Sequence, residues 1–373
     1  MKVIRSWFYL FLVLAVVSCG KDDETVKPDD PDDGSGTEQQ EEAYLKVSVH
    51  SLSFGAEGDA ALLVVRTNRE WQAECDAGWV TFSVSAADST TGLLIAVEEN
   101  PRFSRETEVT ITADKLTEKI RVFQEGRDRI ELMIGGVKFT FLPVYADTTF
   151  HLEGGLYFLS RDVYLDSYYI SETEITNAQW QAVTGSLPYE GEYSFPDHPV
   201  VVNWEQINVS FLPRIRELTG YDMRLPTEHE WEVAARGGKK AVYTEYAGSD
   251  NIDEVAWYFF NSDGRKHNVG QKMPNELGLY DMSGNVCEWC NDWYEAWTEE
   301  NPPPASSTNP TGPSAGTDKV VRGGDIFSDQ FQYSDNSCKV YSRIHLPPDI
   351  STEGFLYDGS YHAPGFRLVI PKN

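Results

Sequence analysis

Residues Asn275-Glu276-Leu277-Gly278-Leu279-Tyr280-Asp281-Met282-Ser283-Gly284-Asn285-Val286-Cys287-Glu288-Trp289 set two acids and a thiol around a glycine-containing turn. Taken by themselves, Asp281 and Glu288 read as residues that cap the turn and pair with arginine. Cys287-Glu288-Trp289-Cys290 has the CxxC spacing of zinc sites and of thiol–disulfide chemistry. Zinc needs two more soft ligands at a matching spacing, and the remaining cysteines and histidines show no such pairing. The five cysteines, at positions 19, 75, 287, 290 and 338, are too few and too scattered for a disulfide framework. In an oxidising compartment Cys290 can pair with Cys338.

Working outward, three more segments accompany this one: Glu174-Ile175-Thr176-Asn177, Arg224-Leu225-Pro226-Thr227-Glu228, and Arg322-Gly323-Gly324 with a closing Gly365-Phe366-Arg367-Leu368. In this order the four resemble the formylglycine-generating enzyme (sulfatase-modifying factor) family over nearly all of residues 130–370. The resemblance implies an α+β fold of low regularity, related to C-type lectins, with bound calcium. Carried over, its calcium ligands are the side chains of Asp281 and Glu288 and the carbonyls of Gly284 and Val286. The enzymes of that family use two cysteines with copper(I) and O2 to turn a sulfatase cysteine into formylglycine. Counted from Gly323-Gly324, the two cysteine positions are Ser328 and Tyr333 here. The serine after the glycines is Asp325, and the pocket tryptophan is Cys287. All four depart from the family pattern. Copper(I) is soft and selects thiolate over hydroxyl, so Ser328 and Tyr333 cannot replace a redox thiol pair and no copper is expected. Cys287, a lone thiol, reads as a small buried hydrophobe. Cys338 matches a structural cysteine of the family, whose partner position is Ala235. His198, His229, His267, His345 and His362 are scattered and take no role.

Local signals place helices between these motifs. Thr176 is an N-cap. A second helix covers Trp204–Thr219 and stops at Gly220. Thr227 with Glu230 makes a capping box for a third helix, which Gly237 ends. Residues 302–316, opening on three prolines, are a loop or insertion.

Residues 44–125 read instead as short alternating strands broken by Gly55, Gly58, Gly78, Asn100 and Pro101, which predicts a β-sandwich of immunoglobulin-like type. Ser53-Phe54, Asn68-Arg69-Glu70-Trp71, Gly78-Trp79, Glu99-Asn100-Pro101, Arg105 and Val122-Phe123-Gln124-Glu125-Gly126 resemble a BACON domain. That resemblance implies binding of carbohydrate or mucin, or a spacer role. Trp71 and Trp79 read as core, because tryptophan in a small sandwich fills the interior more often than it forms a sugar platform.

The start of the chain carries Lys2 and Arg5, then an apolar run from Trp7 to Val17. The run is too short for a spanning helix and describes a secretory signal. Ala15-Val16-Val17-Ser18-Cys19 is similar to a bacterial lipobox, which implies lipidation of Cys19 and a protein tethered to a membrane by lipid. The domain reading is therefore signal 1–18, acidic tether 19–43, BACON-like domain 44–126 and formylglycine-generating-enzyme-like domain 130–373. The tether is too polar and too charged to order itself. Lys21-Asp22-Asp23-Glu24 resembles an export signal to the outer face, so the expected location is the bacterial outer membrane, exposed at the surface. A formal net charge of −28 argues against nucleic acid or an anionic bilayer as a direct partner.

The expected function is a calcium-stabilised, non-catalytic module that binds a glycan or a cell-surface protein. The rival readings are a sulfatase-maturing oxidase with atypical ligands and a structural component of a cell-surface machinery. Aromatic and short polar residues in 325–336 and 346–362 suit recognition by loops on a rigid scaffold.

Overall fold

Alternation organises the first nine strands. In Thr91–Val97 the side chains of Leu93, Ile95 and Val97 are buried while Gly92 and Leu94 are exposed, the period of two that one covered face requires. The computed structural model describes residues 41–153, 160–188, 194–298, 300–304, 306–328, 337–350 and 364–372. Cys19, Tyr333 and His362 lie outside them, as do the signal, nearly all of the tether, and most of the aromatic loop residues.

The strands are β1 Leu45–Val47, β2 Ser51–Phe54, β3 Asp59–Thr67, β4 Trp71–Glu74, β5 Val80–Phe82, β6 Ala86–Ala87, β7 Thr91–Val97, β8 Arg105–Ala113 and β9 Leu116–Gln124. They form two sheets, ordered β1-β3-β7-β5 and β2-β9-β8-β4-β6. Both sheets close on one apolar core that includes Leu63, Val65, Leu93, Ile95, Val109, Ile111 and Ile120. Trp71 is only 2% exposed and its indole N–H donates to the Ser89 carbonyl at 3.0 Å. Trp79 is half-buried beneath the Arg105 guanidinium, 4.3 Å from the ring centroid. Both are structural in this arrangement.

Among the described residues beyond 129 the strands are β10 Ile130–Ile134, β11 Val137–Val144, β12 Thr148–Leu152, β13 Arg161–Leu165, β14 Tyr168–Ser171, β15 Cys287–Trp293, β16 Ser306–Thr308, β17 Lys319–Arg322, β18 Ile344–Leu346, β19 Pro364–Gly365 and β20 Val369–Pro371. Their sheets run β10-β11-β14-β20, β12-β13-β16 and β18-β17-β15-β19. Helix α1 (Asn177–Thr184) starts at a full capping box of Thr176 and Gln179. Helix α3 (Glu228–Ala235) starts at one of Thr227 and Glu230 and gives way to Gly237 at φ 88°. Helix α2 (204–219) carries a π turn at Ile207–Phe211, where Leu212 N–H reaches back to the Ile207 carbonyl. Pro213 follows that turn. A proline lacks a donor and its ring needs room in the preceding turn, so the widened turn absorbs it without breaking the helix. Among the described residues no helix is long and apolar enough to cross a membrane.

The two parts touch through aromatics. Phe103, from the loop before β8, stacks at 4.4 Å on Tyr169 of β14, whose hydroxyl donates to the Arg127 carbonyl at 2.6 Å.

Candidate functional site

The turn 281–286 feeds β15, and its backbone explains its composition. Asp281, Gly284 and Asn285 take φ values of 56°, 80° and 60°, in the left-handed region. A Cβ on Gly284 would stand 2.4 Å from the Trp257 carbonyl oxygen, so only glycine fits there. Asn285 then donates its backbone N–H to that same carbonyl at 2.8 Å. Its side chain joins Glu174 Oε1 at 3.1 Å to the backbone N–H of His267 at 3.0 Å.

Glu288 is held between α3 and the chain end. Both of its oxygens accept from Arg367, Nε and Nη2, at 2.6 Å each, and Oε2 also accepts from Trp231 Nε1 at 2.7 Å. Arg367 spends its remaining donors on the Ser171 and Tyr280 carbonyls. Glu288 and Arg367 are both fully buried. A buried charge holds only when paired and fully hydrogen-bonded, and this pair is.

Asp281 differs. Its Oδ2 accepts from Gly270 N–H at 2.6 Å, and its buried carboxyl also meets that of Glu174. The family's calcium donor set therefore fits poorly, since Arg367 fills both oxygens of Glu288. The arginine-pairing alternative describes Glu288, whereas Asp281 accepts from Gly270, outside its own turn. Among the described residues no three carboxyl, imidazole or thiol groups gather as a metal cluster.

Of the family's reaction-centre positions, Ser328 and Asp325 join Ser337 in a closed polar knot. Ser328, 4% exposed, bonds Ser337 Oγ at 2.6 Å, accepts from Asp325 N–H at 2.8 Å and lies 3.3 Å from Asp325 Oδ1. Burial, then the charge of Asp325, pushes the Cys287 thiol well above its ordinary value, so it stays protonated. A protonated thiol and a hydroxyl do not make a copper(I) site.

The CxxC pair corrects itself by strand geometry. Cys287 and Cys290 lie three apart on β15, so they face opposite sides; Cys287 joins the cluster of Trp289 and Phe366, and Cys290 that of Trp231 and Val320. They share no metal. Cys290 and Cys338 belong to separate apolar clusters and form no disulfide with each other.

Sequence reasoning missed two groups. One is the buried charge network under α3. Glu228 accepts from Arg343 at 2.5 and 2.8 Å and from Arg322 at 3.1 Å. Glu232 accepts from Arg161 at 2.6 Å, Arg322 at 2.9 Å and Arg236 at 2.9 Å. Burial alone would raise the Glu228 carboxyl, but Arg343 and Arg322 outweigh it and hold it at about 2. The signal was the i, i+4 spacing of two acids on a helix whose whole surface is buried. His229 sits in this network as a neutral acceptor, 3.0 Å from Arg161 Nε; burial and Arg161 lower it to about 4. The other group is Glu174. It stands in a motif that was recognised, but its meeting with Asp281 was not visible.

Comparison with known proteins agrees with this construction. The profile of the family described as sulfatase-modifying factor enzyme 1-like domain matches residues 149–345. That of the BACON family of N-terminal binding domains matches residues 69–125. The chain is 34% identical over 203 residues to a protein named chaperone protein LppX from Paenibacillus barcinonensis, covering 38% of this chain and 70% of that one. It is 32% identical over 191 residues to the formylglycine-generating enzyme of Thermomonospora curvata, covering 48% of this chain and 59% of that enzyme. Among solved structures, Treponema denticola variable protein 1 superposes with a TM-score of 0.56 at 27% identity, covering 66% of this chain and 99% of that one. With four motifs, the turn into β15 and a profile over more than half its length in agreement, the chain belongs to the sulfatase-modifying factor enzyme 1-like domain family and carries a BACON domain ahead of that domain.

Proposed function

We propose that this protein is a non-catalytic member of its family, displayed at the bacterial surface on a lipid at Cys19, with a C-type-lectin-like domain that binds a glycan or a protein. The observation that carries the reading is the knot of Ser328, Ser337 and Asp325 beside a buried, protonated Cys287. These groups satisfy one another, and hydroxyls do not hold copper(I) as thiolates do. The relatives named formylglycine-generating enzyme support the rival oxidase reading. A cleft of about 310 Å³ between β11, β14 and the start of α1 offers a place for a polar ligand, lined by Thr140, Glu172, Thr173, Thr176 and Asp197.

The test is direct. The chain is loaded with copper(I), given O2 and a sulfatase-type cysteine peptide, and the peptide is read by mass spectrometry beside an active family enzyme. No conversion is expected. Formylglycine in the product would sink this reading and establish the oxidase.

A further inference from the structure

The cleft beside β11 is lined with acid groups that the fold leaves unused. Its walls are β11, the segment 171–176, the start of α1 and the loops at Asp197 and Val269, around a volume of about 310 Å³. Hydrogen bonds fix these walls. Glu172 N–H donates to the Thr140 carbonyl at 2.9 Å and Val269 N–H to the Asp197 carbonyl at 3.0 Å. The Gln179 amide donates to the Lys138 carbonyl at 2.9 Å.

Glu172 and Asp197 line the cleft, and their carboxylates have no hydrogen-bond or ion-pair partner among the described residues. Asp197 is exposed and Glu172 half-buried, so both can be reached from solvent. Thr140 lines the cleft too. It is 8% exposed, and its hydroxyl likewise has no partner among the described residues. Buried polar groups are hydrogen-bonded as a rule, so this hydroxyl marks where a ligand group would be received. Lys138 is the basic residue on the wall, and its ammonium lies 3.5 Å from Glu131. The cleft therefore presents two uncompensated carboxylates and a hydroxyl.

The occupant is compact. β11 is paired on both sides, to β10 and β14, so it offers no strand edge to the backbone of a peptide. Half-buried Val137 and Val269 add apolar surface beside the acid groups. A sugar ring suits that mixture, with C–H faces for the valines and hydroxyls for Thr140. We propose that the cleft binds an amino sugar through its free amino group, with Glu172 and Asp197 taking the ammonium and Thr140 a ring hydroxyl. The proposal rests on the binding-module reading above and narrows its ligand to a cationic glycan. The formal net charge of −28 draws such a ligand in, since an acidic surface concentrates cations around itself.

The experiment is calorimetric titration of the full chain with three probes: a glucosamine oligosaccharide with free amines, its fully N-acetylated counterpart and a lysine-containing peptide. The free-amine sugar is expected to bind, and acetylation, which removes the charge, to weaken binding roughly tenfold or more. Glu172→Gln and Asp197→Asn should each weaken it by a similar factor without moving the Tm, and Thr140→Val by less. Equal binding of the two sugars would overturn the cationic class. Binding that neither carboxyl variant changes would overturn the cleft as the site. A peptide that binds in place of the sugar, and is lost with Glu172→Gln, would overturn the glycan. In these three cases the binding-module reading survives. No binding of any probe would overturn the proposal, and the copper(I) assay decides separately whether the binding-module reading falls with it.

Discussion

Glu228 and Asp292 show how one interior sets two carboxyls against each other. Glu228 is held at about 2 against an ordinary 4.5, so its stabilisation is complete above pH 4.5 and lost as the pH falls toward 2. The difference corresponds to about 3 kcal/mol. Asp292 goes the other way. Burial, then the charge of Glu228, lifts it to about 8 from 3.8, so it favours the fold while protonated and penalises it as the pH climbs through that window. Its Oδ2 accepts from the Glu228 N–H at 3.0 Å, a bond that an asparagine carbonyl would keep. Asp292→Asn should therefore gain on the wild type in urea unfolding as the pH rises from 4 to 8, with little difference at pH 4. A difference independent of pH would show that Asp292 is ionised in the fold. None of this was legible in the chain, because Glu228 reaches its partners Arg343 and Arg322 across 115 and 94 residues.

At the scale of the element, legibility was good wherever a rule is local. Thr176 and Thr227 were readable as caps because a capping box needs only four consecutive residues. The π turn in α2 was missed: it depends on how the helix accommodates Pro213, and periodicity alone does not report that. The CxxC motif misleads for a related reason. Its spacing suggests convergence, but β15 is extended, and three residues along a strand reverse the side-chain direction. The turn into β15 has the opposite character, since its glycine is dictated by a single backbone contact. Gly284→Ala places a Cβ against the Trp257 carbonyl at a positive φ. We expect a loss of roughly 2–4 kcal/mol in chemical denaturation, larger than an exposed substitution gives. A loss below roughly 0.5 kcal/mol would mean the turn shifts freely.

Across the whole molecule, the BACON domain and the larger domain share a seam. Phe103 is 7% exposed and belongs to the core of the larger domain, against Tyr169, although it comes from the BACON side of residue 126. Arg102, beside it, reaches the carbonyls of Pro371 and Lys372. Phe103→Ala should cost roughly 3–5 kcal/mol and open the connection at residues 125–129 to limited proteolysis, with the circular dichroism of both parts retained. Unchanged protection there would place the strength of the seam in the bonds that the Arg102 and Tyr169 side chains donate to backbone carbonyls.

By itself the sequence determined the identity of both domains, the caps of its helices, the buried Trp71 and the absence of the family's cysteine pair at Ser328 and Tyr333. These are matters of residue type, short spacing and motif order, which survive without knowledge of distant contacts. The tertiary structure decided which charge meets which: Glu288 with Arg367 across 79 residues, and Asn285 with Glu174 across 111, which brings Glu174 to Asp281. The physical reason is that a buried charge takes its partner from whatever packing delivers beside it. A guanidinium that fills one carboxylate among three buried ones is a fact of packing, with no trace in the local sequence.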